Sequence, residues 1–198
     1  LVSFCCWAPM SVFAELWGAS FVQTAYHVSA TKAATAVSWV WFAVAVGSPL
    51  GGWWSDRIQS RRLPLMTFFG IGFFASLAIL FYPFQGWVTL YLALFLFGLT
   101  AAAQPVTFGL IRDLSPNDMT ATAVGYNNMC VIAGATVLQP LVGYLLQHHW
   151  AHQMLDHAPV YRLANYQHAL LVLPLVSLLG LLLVWLRLKE THCNAVDF

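Results

Sequence analysis

Residues 63–111 form a run of 49 residues without one charged side chain. A transmembrane helix needs about 20 apolar residues to cross about 30 Å of hydrocarbon, so this run is too long for a single span. Near its middle, Pro83 and Gly86 supply the chemistry of a turn. The run therefore predicts two consecutive membrane spans, near 63–82 and 87–111.

The composition excludes an ordinary soluble domain. Of the 198 residues, 60% are hydrophobic and 8% are charged, whereas globular chains carry about 25% charged residues. A soluble chain of this length cannot bury so much apolar surface, so lipid must surround most of the side chains. The net charge of +1 gives no reason to expect a nucleic-acid partner. The four cysteines lack metal-site spacing, and the first three lie in apolar segments and are interpreted as buried thiols. We expect no metal and no cofactor.

Further apolar runs complete a set of six predicted spans. Because segments such as 170–185 are apolar on every face, helices are the expected spanning form. The fold class is therefore an all-α membrane protein with six transmembrane helices. The chain begins inside an apolar run, without a starting methionine, so we expect a fragment of a longer protein. The remaining four spans are predicted near 2–27, 33–54, 120–147 and 166–187.

The distribution of lysine and arginine predicts an orientation. Six spans place both termini and two of the loops on one side of the membrane, and positively charged loops favour the cytoplasm. The opposite side carries only Lys32 and Arg162. We therefore expect both termini to be cytoplasmic. The residues on that side are Arg57, Arg61, Arg62, Arg112, Arg187 and Lys189.

A stripe of small residues marks the second span. Ala43, Gly47 and Gly51 recur every four residues, which allows another helix to approach closely. The pattern is typical of bundle packing, and it also suits helices that slide against each other.

Glu15 is the only acidic residue well inside a predicted span. At 1.5 Å per residue it lies about 20 Å along the first span, near the middle of the bilayer. A carboxylate there costs several kcal/mol unless it faces a wet cavity or a partner. Trp17, Gln23 and Tyr26 lie on the same face of the helix as Glu15 or continue toward the opposite side of the membrane. Glu15 is thus a candidate substrate contact or proton carrier; the alternative is a structural hydrogen bond or ion pair with another helix.

A second polar group lies in the fifth span, at Asn127, Asn128 and Gln139. Adjacent residues differ by about 100° around a helix, so one asparagine can face a cavity while the other faces a neighbouring helix. Gln104 in the fourth span precedes Pro105, which removes a backbone hydrogen bond and can bend the helix. Such a bend suits a gating helix and equally suits a packing kink.

Four histidines fall between the fifth and sixth spans. Three of them have the i,i+3 or i,i+4 spacing that brings imidazoles together on a helix. A single cluster in an external loop is more typical of a solvated loop, so the metal-site hypothesis remains the minor alternative. The residues are His148, His149, His152 and His157.

The polar segment 52–62 reads Gly-Trp-Trp-Ser-Asp-Arg-Ile-Gln-Ser-Arg-Arg. It resembles the loop motif Gly-x-x-x-Asp-Arg-x-Gly-Arg-Arg of the major facilitator superfamily. The internal glycine of the motif is replaced by Gln59 or Ser60, and the arginine pair is displaced by one residue. Softer matches to the carboxy-terminal half of bacterial members lie at residues 15–18, 125–129, 139–141 and 188–191.

The resemblance implies one half of a transporter bundle in a bacterial inner membrane. The amino-terminal half is then absent, and the expected partners are the lipid bilayer, a small-molecule substrate, and the missing half or a second six-helix chain. In that family the loop latches the cytoplasmic side closed, with Arg57 or Arg61 pairing with Asp113. The alternative is a simple positive-inside anchor. The implied gating residues are Gly52, Asp56, Arg57, Arg61, Arg62 and Asp113.

These observations predict a secondary active transporter, not an enzyme. It would move a small polar organic solute by alternating access, and protonation of Glu15 would make it a symporter. A non-transporting membrane scaffold or receptor with the same fold is the first alternative. A histidine-dependent membrane metalloenzyme is the second.

Overall fold

The computed structural model describes residues 1–116, 118–148, 150, 154–155, 158–159 and 161–194. Most of these residues are helical. The two strands among them, Met154–Leu155 and Ala158–Pro159, have two residues each and pair antiparallel. The expected all-α fold class therefore holds for the spanning part of the chain.

The first span is a helix in three segments. Helix α1, Val2–Met10, continues into a π-helical segment at Ser11–Trp17 and then into α2, Gly18–Tyr26. In a π-helix the backbone bonds run from i to i+5, which widens the turn and is frequent at functional sites. Pro9 lacks an amide hydrogen, and the Ser11 hydroxyl donates to the Ala8 carbonyl. Both features weaken the regular helical ladder just where the π segment begins.

The other spans are long helices. The fourth is α5, Trp87–Ala102, followed by α6, Gln104–Asp113, and the sixth is α8, Leu163–Ala169, followed by α9, Val172–Arg187. Within the described residues, five continuous helical stretches are long and apolar enough to cross a membrane. The first span is not among them because the π segment divides it into shorter helices. The remaining helices are α3, Ala30–Arg57; α4, Arg62–Phe81; and α7, Thr120–His148.

The helix α3 differs from its predicted span at both ends. It begins at Ala30 because the hydroxyl of Ser29 caps the helix and accepts from the amide of Lys32. It continues to Arg57, so the first half of the polar segment is helical and the turn is limited to residues 58–61. A helix can extend into the polar interface, which hydropathy alone does not detect.

The small-residue stripe of α3 permits very close packing against α5. A Cβ atom on Gly47 would lie 2.7 Å from the Cβ of Ala102, and one on Gly98 would lie 2.4 Å from the carbonyl oxygen of Val40. Ala43 and Gly51 are buried on the same face. The predicted close approach of another helix is therefore confirmed.

Two helices bury less of their surface than the others. In the most apolar window of each helix, 33% of the residues are buried in α3 and 28% in α7, against 44–56% in the other three long stretches. Large apolar side chains such as Trp53 of α3 and Tyr144 of α7 are 65% exposed. These two helices thus present the widest uncovered faces.

Candidate functional site

The π segment brings Glu15 and Trp17 against Gln139 of α7. The Gln139 Nε2 atom donates to Glu15 Oε2 at 3.3 Å and to the backbone carbonyl of Ser11 at 3.1 Å. The Trp17 indole nitrogen donates to the backbone carbonyl of Gln139 at 3.4 Å. Glu15 is exposed, while Trp17 and Gln139 are half-buried. Three residues that sequence analysis selected from two different spans therefore meet at one place.

The two asparagines of α7 point in different directions. Asn127 is 6% exposed and bridges three helices: the Ser3 hydroxyl donates to its Oδ1, and its Nδ2 donates to Thr107 Oγ1 at 3.5 Å. Asn128 is exposed on α7, beside an open groove that Thr136 also lines. Asn127 thus forms a contact between helices, and Asn128 is the amide that faces outward.

The remaining candidates lie apart from Glu15. Gln23 is exposed on α2, and Tyr26 is half-buried, with its ring 5.9 Å from that of Trp87. Tyr26 lines a cavity of about 280 Å³ between the ends of α2, α4 and α8. Gln104 lies at the break in the fourth span, where its carbonyl accepts from the Thr107 hydroxyl at 2.8 Å. No hydrogen bond among the described residues joins these three side chains to Glu15.

The break in the fourth span coincides with Gln104 and Pro105. Helix α5 ends at Ala102, and α6 begins at Gln104 with the proline in its first turn. The break is one residue long, at Ala103, and lies next to the proline that was expected to bend this span, since a proline cannot donate the backbone bond that would continue α5.

A buried arginine organises the end of the bundle where α3 meets α4. Arg61 is 4% exposed, and its Nε lies 2.9 Å from Asp113 Oδ2. Its Nη1 lies 2.7 Å from Asp56 Oδ1 and 3.1 Å from the Ser55 hydroxyl. Asp113 is itself 3% exposed. Burial opposes the charge of the guanidinium, but the hydrogen bonds to Asp113 and Asp56 outweigh that penalty and raise the pKa of Arg61.

The other residues of the polar segment have different surroundings. Arg57 is exposed, so of the two arginines expected near Asp113 only Arg61 contacts it. Arg62 Nη2 donates to the backbone carbonyl of Trp185 at 2.6 Å. Gly52 is half-buried. A Cβ atom added to it would meet its nearest neighbour, the Cβ of Pro105, at 4.0 Å, so the space beside this glycine is open.

The position of the missing motif glycine carries backbone strain. Gln59 has φ 52°, the left-handed conformation that glycine adopts most readily. Its side chain donates to the carbonyl of Asp56 at 2.7 Å, which supports the tight turn. The turn between α3 and α4 thus keeps a glycine-type backbone although the glycine is replaced.

The segment after α9 completes this end of the bundle. The carboxylate of Glu190 accepts from the backbone amides of Arg61 at 2.8 Å and Arg62 at 3.1 Å, and from the hydroxyl of Ser60. The Thr191 hydroxyl donates to Asp113 Oδ2 at 3.1 Å. Glu190 therefore lies at the N-terminus of α4, where the helix dipole favours a negative charge.

The same contacts change the pKa of Glu190. Partial burial alone would raise it, but the hydrogen bonds from Ser60 and from backbone amides, including those of Arg61 and Arg62, favour the ionised form and lower the pKa below its ordinary value. We name the residues Asp56, Arg61, Asp113, Glu190 and Thr191 the Arg61 cluster. Sequence analysis included the first three as gating residues and treated residues 188–191 only as a family resemblance. Those contacts join positions about 130 apart in the chain, which no local pattern reveals.

We expect Glu190→Gln to lower the stability of the protein by about 1 kcal/mol, because the amide is a weaker acceptor at the helix N-terminus. A carboxylate with a lowered pKa in the folded state stabilises that state above its unfolded pKa of about 4.3. The contribution is lost as pH falls through the folded value. Thermal unfolding in detergent at several pH values measures this difference, and Lys189→Gln serves as the neighbouring exposed control. A gap between wild type and Glu190→Gln that stays constant down to about pH 3 would contradict the assignment.

Most of the histidine cluster lies outside the part of the chain that the structure describes. His148 ends α7, where its ring lies 6.2 Å from that of Tyr144. The positions of His149, His152 and His157 lie outside the described residues. Across the described part of the chain, no three histidine, cysteine or acidic side chains are grouped as metal ligands.

Comparison with known proteins identifies the family. The model of the Major Facilitator Superfamily matches residues 1–194. The chain belongs to the Major Facilitator Superfamily. Proteins of this superfamily are membrane transporters, so the expectation of a transporter family, and not of an enzyme family, is confirmed at the superfamily level.

A solved structure supports the same fold. This chain aligns with the solved structure of a double-tryptophan mutant of XylE with a TM-score of 0.72 and 16% sequence identity. The alignment covers 96% of this chain and 44% of the XylE chain, so the chain spans less than half the length of that structure. The search of curated proteins found no match.

Proposed function

We propose that this chain is one six-helix half of a secondary transporter that moves a small polar organic solute by alternating access. The main support for this proposal is the exposed carboxylate of Glu15, which Gln139 contacts in a span whose other side chains are uncharged. A charge so placed is expensive unless it faces water, substrate or a partner. Substrate sites of such transporters lie between two repeated bundles, which rock about them.

The second half of the bundle is the proposed partner. The broad uncovered faces of α3 and α7 are the surfaces that another bundle would cover. The 44% coverage of XylE fits a chain that needs a second unit of similar size. That unit is an amino-terminal half or a second six-helix chain, and the crevice between the two would bind the solute. We assign Glu15 and Trp17 of the first span, and Asn128 and Gln139 of α7, to the wall of this crevice. Gln23 and Tyr26 lie further along the first span.

The Arg61 cluster is the proposed latch on the cytoplasmic side of a bacterial inner membrane, where both termini would also lie. The side chain of Asp56 is 66% exposed, so it can accept hydrogen bonds from the other half in the closed state. A partly exposed ion-pair network is strong enough to hold a closed state and weak enough to release it. Asp56→Asn is the substitution that addresses this contact.

Uptake measurements test the proposal. We expect the intact protein in proteoliposomes to accumulate at least one labelled amino acid, nucleoside, sugar or carboxylate, and we expect an imposed pH gradient to increase the accumulation. Asp56→Asn is expected to slow net uptake and to increase thiol labelling on the cytoplasmic side. Arg57→Gln is the matched control, because Arg57 is exposed and outside the Arg61 cluster. Binding of a solute without any transport would instead favour a receptor with this fold.

A further inference from the structure

In the described part of the chain, Gln139 is the residue of α7 that makes polar contacts with the π segment. Its side-chain nitrogen has two hydrogens, and two acceptors lie within reach: Glu15 Oε2 at 3.3 Å and the Ser11 carbonyl at 3.1 Å. Its backbone carbonyl accepts from the indole of Trp17. The three hydrogen bonds between the π segment and α7 therefore all involve Gln139.

One of these contacts depends on charge. A hydrogen bond from an amide to an ionised carboxylate is about twice as strong as one between neutral groups. When Glu15 is neutral, Gln139 keeps only the carbonyl of Ser11 as a full-strength acceptor. The adjacent Pro140 interrupts the backbone bonds of α7, so the helix can bend at this level.

Among the described residues, the charge of Glu15 is stabilised by its hydrogen bond from Gln139. The π segment packs against α1, α2, α3, α5 and α7. In the described part of the chain, Gln139 is the hydrogen-bond partner of the Glu15 carboxylate, and no titratable side chain of those helices bonds to it. The titratable residues of those helices are Cys5, Cys6, Tyr26, Lys32, Asp56, Arg57, Tyr91, Tyr126, Cys130, Tyr144 and His148.

We infer that Gln139 is a positioning residue that transmits the charge of Glu15 to the packing of α7 against the first span. With Glu15 ionised, Gln139 holds α7 against the π segment. With Glu15 neutral, the contact weakens and α7 separates from Trp17. The inference rests on the proposed function, in which Glu15 changes protonation during transport, and it names the element that would move.

Thiol labelling at Gly143 measures this separation. A Cβ at Gly143 would lie 3.4 Å from the Trp17 ring, an ordinary contact, so Gly143→Cys fits the packed state and its thiol is shielded by the indole. The experiment uses the intact protein in lipid vesicles, with Cys130 and Cys193 replaced by serine, while Cys5 and Cys6 stay because they are fully buried. The labelling rate is divided by the rate of a free cysteine peptide at each pH, which corrects for the titration of an ordinary thiol.

We expect the normalised labelling rate to rise on the order of tenfold once the pH is low enough to protonate Glu15, because one charge-assisted hydrogen bond is then lost. In Gln139→Leu and in Glu15→Gln the rate is expected to be high at every pH. Gln147→Leu changes an exposed glutamine of the same helix and is expected to keep the pH response of the parent. A pH response that survives in Gln139→Leu would overturn the inference.

The outcome separates this inference from the proposed function. Labelling that responds to pH as expected, together with a failure to detect uptake of any solute, would support the switch and contradict transport. Solute uptake with pH-independent labelling at Gly143→Cys would support transport and contradict the switch.

Discussion

Replacing Arg61 with methionine is expected to lower the stability of the folded protein by about 3–5 kcal/mol. Methionine fills much of the same volume, but it leaves Asp113, which is 3% exposed, without a counter-charge. A buried unpaired carboxylate costs far more than a lost surface ion pair. Thermal unfolding of the purified protein in detergent measures the loss.

A second substitution shows whether the unpaired charge causes this loss. Arg61→Met combined with Asp113→Leu removes both charges, and apolar replacement of a buried ion pair is often close to neutral. We therefore expect the double variant to recover most of the stability that the single variant loses. Arg57→Met, at an exposed arginine, is expected to change stability by less than about 0.5 kcal/mol. A double variant no more stable than Arg61→Met would indicate that packing, and not charge, dominates at this end of the bundle.

Glu15→Gln is expected to abolish the response of solute uptake to a pH gradient while exchange of solute across the membrane continues. Glutamine keeps the size of the side chain and can still pair with the Gln139 amide, but it cannot carry a proton. Uptake driven by an imposed pH gradient in proteoliposomes measures the effect, with counterflow of labelled solute in the same vesicles.

The control for this experiment is Gln147→Leu, which lies on α7 away from Glu15 and is expected to keep gradient-driven uptake. Full gradient-driven uptake by Glu15→Gln would remove the carboxylate from the coupling mechanism. Loss of counterflow as well would assign Glu15 to solute binding instead of coupling.

The helical spans could be predicted because hydrocarbon imposes a simple rule on the chain. An apolar run of sufficient length must satisfy its backbone within a helix, and each of the six runs coincides with a helical stretch of the structure. The break at Pro105 and the close approach at Gly47 were also predictable, because they follow from missing atoms: an amide hydrogen in one case and a side chain in the other.

The π segment could not be predicted from Ser11–Trp17, whose residues fit an ordinary helix equally well. The extra residue per turn is a property of the hydrogen-bond ladder and of the contact with Gln139. The sequence identified Glu15 and Gln139 as polar residues in apolar spans. It gave no sign that they meet.

The two asparagines illustrate a second limit. Their adjacency showed that they must face different directions, but not which of them faces inward. That choice depends on where Ser3 and Thr107 lie on two other helices. The role of Glu190 could not be predicted for a similar reason, because its partners Ser60, Arg61 and Arg62 lie far away in the sequence.

The position of Glu190 also has a consequence for biogenesis. The amides at the start of α4 receive their carboxylate acceptor only after residue 190 has left the ribosome, when all six spans have been synthesised. Until then, Arg61 and Asp113 lack the shielding that Glu190 and Thr191 provide. A nascent chain that stalls before residue 190 would therefore leave the amides at the start of α4 without this acceptor, and these six helices would reach their final packing only after residues 188–191 have been synthesised.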